Sequence, residues 1–154
     1  MDLSGILRPD AVKVIGAATS KKRLFHDLGE LVAGAYGLRA ARVVEALMDR
    51  ESLGPTGVGH GVALPHARIA DLDRMVGAFV RLERPVDFDA VDRQPVDLVF
   101  ALFAPEEAGV EHLKALALVS RTLRDAAICT KLRANVDPVT LHTILTAPKA
   151  HKAA

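Results

Sequence analysis

The sequence predicts a single α/β domain, a sandwich in which helices flank a mixed β-sheet, and three observations carry that expectation. Apolar residues recur at helical spacing before residue 50 and again after residue 110. Between those regions lie an alternating run, Met75 to Leu82, and a nearly continuous apolar run, Val96 to Ala104. A length of 154 residues, half of them hydrophobic, suffices for one substantial core. Helices, then strands, then helices around one sheet is the order such layered domains use.

Ser20 is positioned to cap a first helix whose Leu24, Phe25, Leu28, Leu31, Val32, Ala35 and Tyr36 share one face, with Gly37 as its stop. A second helix is expected from about Ala40 to Arg50, burying Val43, Val44 and Leu47. A glycine-rich segment follows directly, and Leu64 with its neighbours reads as a short strand. From Met75 to Leu82, Val76, Ala78, Val80 and Leu82 alternate onto one face of a longer strand. Arg84 to Asp89 is a turn-rich connection with room for a brief edge pairing, and the nearly continuous run from Val96 to Ala104 fits a central strand covered on both faces. After Pro105 come an acidic loop at Glu106 and Glu107 and a helix from about Val110 to Arg124. Two short helices close the chain, the last capped by Asp137 with Pro138 in its first position. There is no internal repeat or linker, so residues 1–154 are read as one domain, with about 147–154 a frayed tail.

Composition removes several function classes. Twenty Lys and Arg against 19 Asp and Glu leave a formal charge of +1, which gives no electrostatic footprint for nucleic acid. No apolar run approaches the ~20 residues that span a bilayer, and Met1 to Gly5 lacks the character of a secretory signal. The single cysteine, Cys129, cannot form an internal disulfide and lies in an apolar stretch, as expected of a buried thiol in a cytoplasmic protein.

The most informative stretch is Gly54-Pro55-Thr56-Gly57-Val58-Gly59-His60-Gly61-Val62-Ala63-Leu64-Pro65-His66. Glycines permit close backbone approach, and successive amides in such a turn can form an anion-binding nest. An imidazole delivered beside that nest points to chemistry on an anion, most plausibly a phosphoryl group. The competing reading is a surface turn with His66 merely exposed at the end of a strand. A neutral imidazole is nucleophilic at neutral pH, and a nitrogen nucleophile splits one transfer into two. His112 falls in the first turn of the helix after the acidic loop, on a stripe with Leu116, Val119 and Leu123. There it either assists at an anion held by His66 or serves as a core-facing histidine. Arg50, just before the glycines, either clamps phosphoryl oxygens or complements a helix dipole. Glu51 and Thr56 are candidates for orienting Arg50 or for donating to the anion, and the amides of Gly57, Gly59 and Gly61 for cradling it. His60 is a candidate for the loop rim.

Other chemistries lack their signatures. No Gly-Lys-Ser/Thr follows the glycines, no dinucleotide fingerprint links a strand to a helix, and no nucleophile elbow is present. Zinc held by His60, His66 and His112 stays open as an alternative, without the spacing of a known zinc motif.

The segment from Arg50 to His66 closely resembles the signature of phosphotransferase-system enzyme IIA proteins of the fructose/mannitol class, within it the nitrogen-regulatory branch. Phe88 to Leu102 and His112 to Ser120 are similar to two further segments of that family, so the resemblance covers essentially the whole chain. It implies the α/β sandwich of those proteins and a phosphoryl relay from phosphoenolpyruvate through an enzyme I and a histidine phosphocarrier protein, with no cofactor and no metal. His66 matches the family's phosphorylated residue, which bonds phosphorus through Nε2. His112 matches the assisting histidine, and Arg50 the arginine beside the site. Transfer between proteins further implies that His66 lies in a shallow surface with an apolar rim, for which Val58, Val62 and Leu64 are the candidates, while Glu106 and Glu107 are candidates for steering a basic partner. Two roles are open: a regulator whose phosphorylation state selects its targets, or a sugar-transport enzyme IIA that passes phosphoryl to an enzyme IIB. No segment of this chain resembles a IIB or membrane IIC domain, which favours the regulator.

Overall fold

The computed structural model describes residues 2–147; all but the first residue of the tail expected at about 147–154 lies outside them. After a one-turn 3₁₀ helix, Leu3–Gly5, the elements are β1 (Leu7–Ile15), α1 (Lys21–Tyr36), α2 (Ala40–Glu51), β2 (Gly57–Gly59), β3 (Val62–Ala63), β4 (His66–Ile69), β5 (Val76–Val86) and β6 (Val96–Pro105). Helices α3 (Val110–Arg124), α4 (Ala126–Arg133) and α5 (Pro138–Thr146) complete them. Among the described residues no helix is long and apolar enough to cross a membrane.

The sheet is mixed, as expected, in the order β1-β5-β6-β3-β2, with β4 also on β6. Strand β5 runs parallel to β1 and antiparallel to β6. The run from Val96 is central, and Val96 and Leu98 through Ala104 are buried. From Val76 to Val80 every residue of β5 is also buried, so both of its faces are covered rather than the single alternating face expected.

The helical expectations are met at their caps. Ser20 Oγ accepts from Arg23 N at 3.0 Å, Gly37 ends α1 with φ of 73°, and Asp137 caps α5 ahead of Pro138. Leu24, Phe25, Leu28 and Val32 on α1 are fully buried, each contributing about 1.5–3 kcal/mol of apolar transfer. Strands β1, β2 and β4 are elements the sequence pattern did not reveal, β1 being the longest of them. Arg8, Pro9 and Asp10 are exposed near its start, and its pairing with β5 shifts register between Leu7 and Val12. A bulged edge strand with polar residues breaks the alternation by which strands are read.

The feature that positions the site is the broken edge along β6. Strand β3 pairs in parallel with Leu98 and Val99, and β4 pairs in parallel with Leu102 to Pro105. Leu64 and Pro65 lie between them, and Pro65 offers no N–H to a ladder. His66 therefore opens a strand rather than closing one. Upstream, Leu64 N donates to Thr56 O at 2.9 Å, which folds the β2–β3 hairpin back against this break.

Gly57 shows how closely that hairpin is packed, since a Cβ there would lie 2.8 Å from the Ala90 Cβ and 2.9 Å from its Cα. Gly34, on α1, has open space around it. Gly57→Ala is expected to destabilise the fold by about 1–3 kcal/mol through overpacking. Gly34→Ala is expected to stabilise it by about 0.5–1 kcal/mol. Urea unfolding of both variants beside the unaltered chain checks the pair.

Candidate functional site

His66 is half-buried, and its Nδ1 lies 2.8 Å from the Leu64 carbonyl oxygen. A carbonyl only accepts, so Nδ1 carries the proton in the neutral ring and Nε2 keeps its lone pair. The bond forms because Pro65 breaks the strand and leaves the Leu64 carbonyl between two paired segments. Alternation along β4 then puts Arg68 on the same side as His66, while Ala67 and Ile69 turn into the core.

Arg68 reaches the loop before α3, where its Nη1 donates to Glu106 O at 3.1 Å and to Ala108 O. One strand thus carries His66 and also braces the start of the helix that carries His112. His112, in the first turn of that helix, is buried, and its ring stands 5.6 Å from the His66 ring, centroid to centroid, at 75°. Its Nε2 is buried and has no hydrogen-bond partner among the described residues. Arg50, at the end of α2, donates through Nη1 to Gly54 O at 3.1 Å and lines both hollows that flank His66.

Glu51 does not orient Arg50, contrary to one expectation. Its nearly buried carboxylate accepts from Thr56 N at 2.9 Å and Thr56 Oγ1 at 2.7 Å, and it pairs with Lys21 Nζ at 2.9 Å. Both donors of Thr56 are therefore committed to Glu51, although the residue lines a hollow beside His66. The glycines are also placed differently from the expected cradle. Gly57 pairs with Ala63 across the hairpin, Gly59 lines a separate cleft, and Gly61, with φ of 79°, makes the turn. None of the three lines either hollow at His66.

His60 likewise faces that other cleft, so the three-histidine zinc alternative is not assembled. Among the described residues no group of three His, Cys, Asp or Glu side chains is arranged to hold a metal. The apolar rim differs in part from expectation. Val62 and Leu64 are buried, whereas Val58 is 47% exposed and is joined by Leu53 at 83% and Leu113 at 66%. Neither Leu53 nor Leu113 stands out in the sequence, since an exposed leucine beside a helix end has no signature of its own. Arg68 had one unread signal: it is two residues beyond His66, at strand period.

Burial, above all, holds the His66 ring below its ordinary 6.5; Arg50 adds to that, while the Leu64 hydrogen bond and Glu51 oppose it. His112 is lowered from 6.5 as well, first by burial and then by the charges of His66 and Arg68. Both rings are thus neutral at neutral pH.

The protein is thus an α/β domain built around one oriented imidazole with a second beside it. Residues 5–147 match the family described as "Phosphoenolpyruvate-dependent sugar phosphotransferase system, EIIA 2", and the chain belongs to that family. It is 44% identical over 150 residues to a nitrogen regulatory protein of Bradyrhizobium diazoefficiens, covering 97% of this chain and 98% of that protein. The crystal structure of the nitrogen regulatory protein IIA-Ntr of Neisseria meningitidis is similar with a TM-score of 0.86 and 39% identity, over 94% of this chain and 99% of that one. The mannitol IIA of Escherichia coli shares the fold at a TM-score of 0.75 and 20% identity, over 90% of this chain and 97% of that one.

A histidine whose folded value is depressed binds more protons once the chain unfolds. Stability linked to these rings is therefore fully present above 6.5 and is lost as pH falls through the folded values. NMR titration of the ring protons is expected to give midpoints below 6.5 for both, with the thermal midpoint falling as pH drops from about 7 to about 5. A His66 midpoint at or above 6.5 would contradict a half-buried ring flanked by Arg50.

Proposed function

We propose that this protein accepts a phosphoryl group on His66 Nε2 from a histidine phosphocarrier protein, itself charged by an enzyme I, and regulates target proteins according to its phosphorylation state. The observation that carries the reading is the Leu64–His66 hydrogen bond, which leaves Nε2 as the free nucleophilic nitrogen. Family membership supports a phosphotransferase component, and the level of identity to nitrogen regulatory proteins supports the regulatory role over sugar transport.

In the transfer, the Nε2 lone pair forms a new N–P bond while the bond from phosphorus to the donor's histidine nitrogen breaks. That nitrogen takes back the electron pair. Such a transition state is loose, with charge spread over three equatorial oxygens, so catalysis rests on position and electrostatics. Arg50 retains N–H groups for those oxygens, and the unpartnered His112 Nε2 supplies a further donor in its N–H tautomer. Thr56, with Gly57, Gly59 and Gly61, shapes the hairpin that carries Leu64 and acts on the phosphoryl group indirectly. Leu53, Val58 and Leu113 form the rim on which the carrier docks, and Glu106 and Glu107 steer a basic carrier face.

Label transferred from phosphoenolpyruvate through purified upstream proteins tests this. His66→Ala is expected to take up none. His112→Ala is expected to accept label about 10²-fold more slowly, the loss typical of one oxyanion donor. Persistent labelling of His66→Ala overturns the assignment, and transfer onward to a IIB protein would favour the transport role.

A further inference from the structure

A separate cleft of about 640 Å³ lies between the β2–β3 hairpin and helices α3 and α4, a size that suits a small organic ligand. Its floor is apolar, formed by the buried side chains of Val62, Leu64, Leu123 and Cys129. Its polar groups differ in what they have left to offer. Arg133 is charge-paired: Nε and Nη2 reach the two Asp97 oxygens at 2.9 Å each, and Nη2 also donates to His60 O at 2.8 Å. Asp97 thereby neutralises Arg133. The Thr130 hydroxyl donates to Ala126 O, and the Cys129 thiol to Leu123 O.

Besides the His60 ring, which also lines the cleft with no ring hydrogen bond among the described residues, two groups are unspent. Ser120 Oγ and the Arg124 guanidinium make no side-chain hydrogen bond or ion pair among the described residues, and both line the cleft. They stand four residues apart on α3, hence on one helical face. One free cation and one free hydroxyl above an apolar floor match a ligand with one negative charge and an apolar body. A di- or triphosphate would bring several charges to a single uncompensated cation. Val58, Leu64 and Ser120 are shared with the His66 hollow, so an occupant would touch the residue whose carbonyl holds the His66 ring.

We propose that this cleft binds a small amphiphilic mono-anion, its charged group held by Arg124 and Ser120 and its apolar body lying on Val62, Leu64, Leu123 and Cys129. Binding of this kind is tested without the phosphoryl relay. The probe is 8-anilinonaphthalene-1-sulfonate, one sulfonate on an aromatic body, titrated into the full chain and followed by amide NMR. Saturable one-site shifts are expected, concentrated at Leu64, Leu123 and Cys129. Arg124 is exposed, so its replacement leaves the core intact. Arg124→Ala is expected to weaken binding about fivefold and Arg124→Lys to retain most of it, as for a partly exposed charge contact. Absence of saturable shifts, shifts centred on Leu53 and Leu113, or undiminished binding by Arg124→Ala would each overturn the proposal.

Discussion

The hydrogen bond from His66 Nδ1–H to the Leu64 carbonyl depends on an interruption, and much of the surrounding structure exists to hold that interruption in place. Pro65 removes a ladder donor, the paired edge divides into β3 and β4, and a carbonyl two residues back meets the ring. The segment is fixed upstream by Leu64 N on Thr56 O, and Thr56 is fixed in turn by both of its donors on Glu51. Lys21, at the first turn of α1, compensates the Glu51 charge at 2.9 Å and lies over the Phe88 ring at 4.8 Å. A nearly buried carboxylate without that cation would carry an uncompensated desolvation penalty. The orientation of one imidazole is thus traceable through four contacts to the start of a helix more than forty residues earlier in the chain.

Most of the fold could be read from the amino acids because its signals are local. Ser20, Gly37, Asp137 and Pro138 mark helix ends by chemistry that acts within one turn, and the structure places all four where that chemistry puts them. The apolar continuity of Val96 to Ala104 reports burial on both faces for the same reason. Strand β1 escaped because its evidence is tertiary. Ala11 and Val12 are buried by elements distant in sequence, β5 beside them and α1 and α5 packed on β1, and Arg8 to Asp10 hide the period.

The site divides along the same line. His66, His112 and Arg50 are legible as residue types in suggestive settings, and the structure does bring them together. How the surrounding residues are used was not legible. Glycines that read as an amide cradle instead let the hairpin pack on Ala90 and turn at Gly61, because a close approach between protein segments selects glycine as strongly as a close approach to an anion. Glu51 and Thr56 are separated by a short loop, yet nothing in that spacing says that the carboxylate captures both the amide and the hydroxyl. Arg68 becomes meaningful only once the 106–108 loop is seen to fold back over β4.

The electrostatics of the hollow tie nucleophilicity to anion affinity. Arg50 and Arg68 line it against the single carboxylate of Asp49, while burial and neighbouring positive charge keep both imidazoles unprotonated. In the proposed relay the same positive field that attracts a phosphoryl group also keeps the His66 Nε2 lone pair free to receive it. Arrival of that group reverses the balance at His112. A dianion a few ångströms away favours the charged form of a nearby imidazole, as surely as Arg68 disfavours it. His112 would then take up a proton as phosphoryl binds and become a charged donor only when there is an anion to stabilise. A permanently cationic residue at that position would instead add a desolvated charge beside His66 in the resting protein. A buried histidine with an unpartnered nitrogen avoids that cost until the reaction supplies the counter-charge.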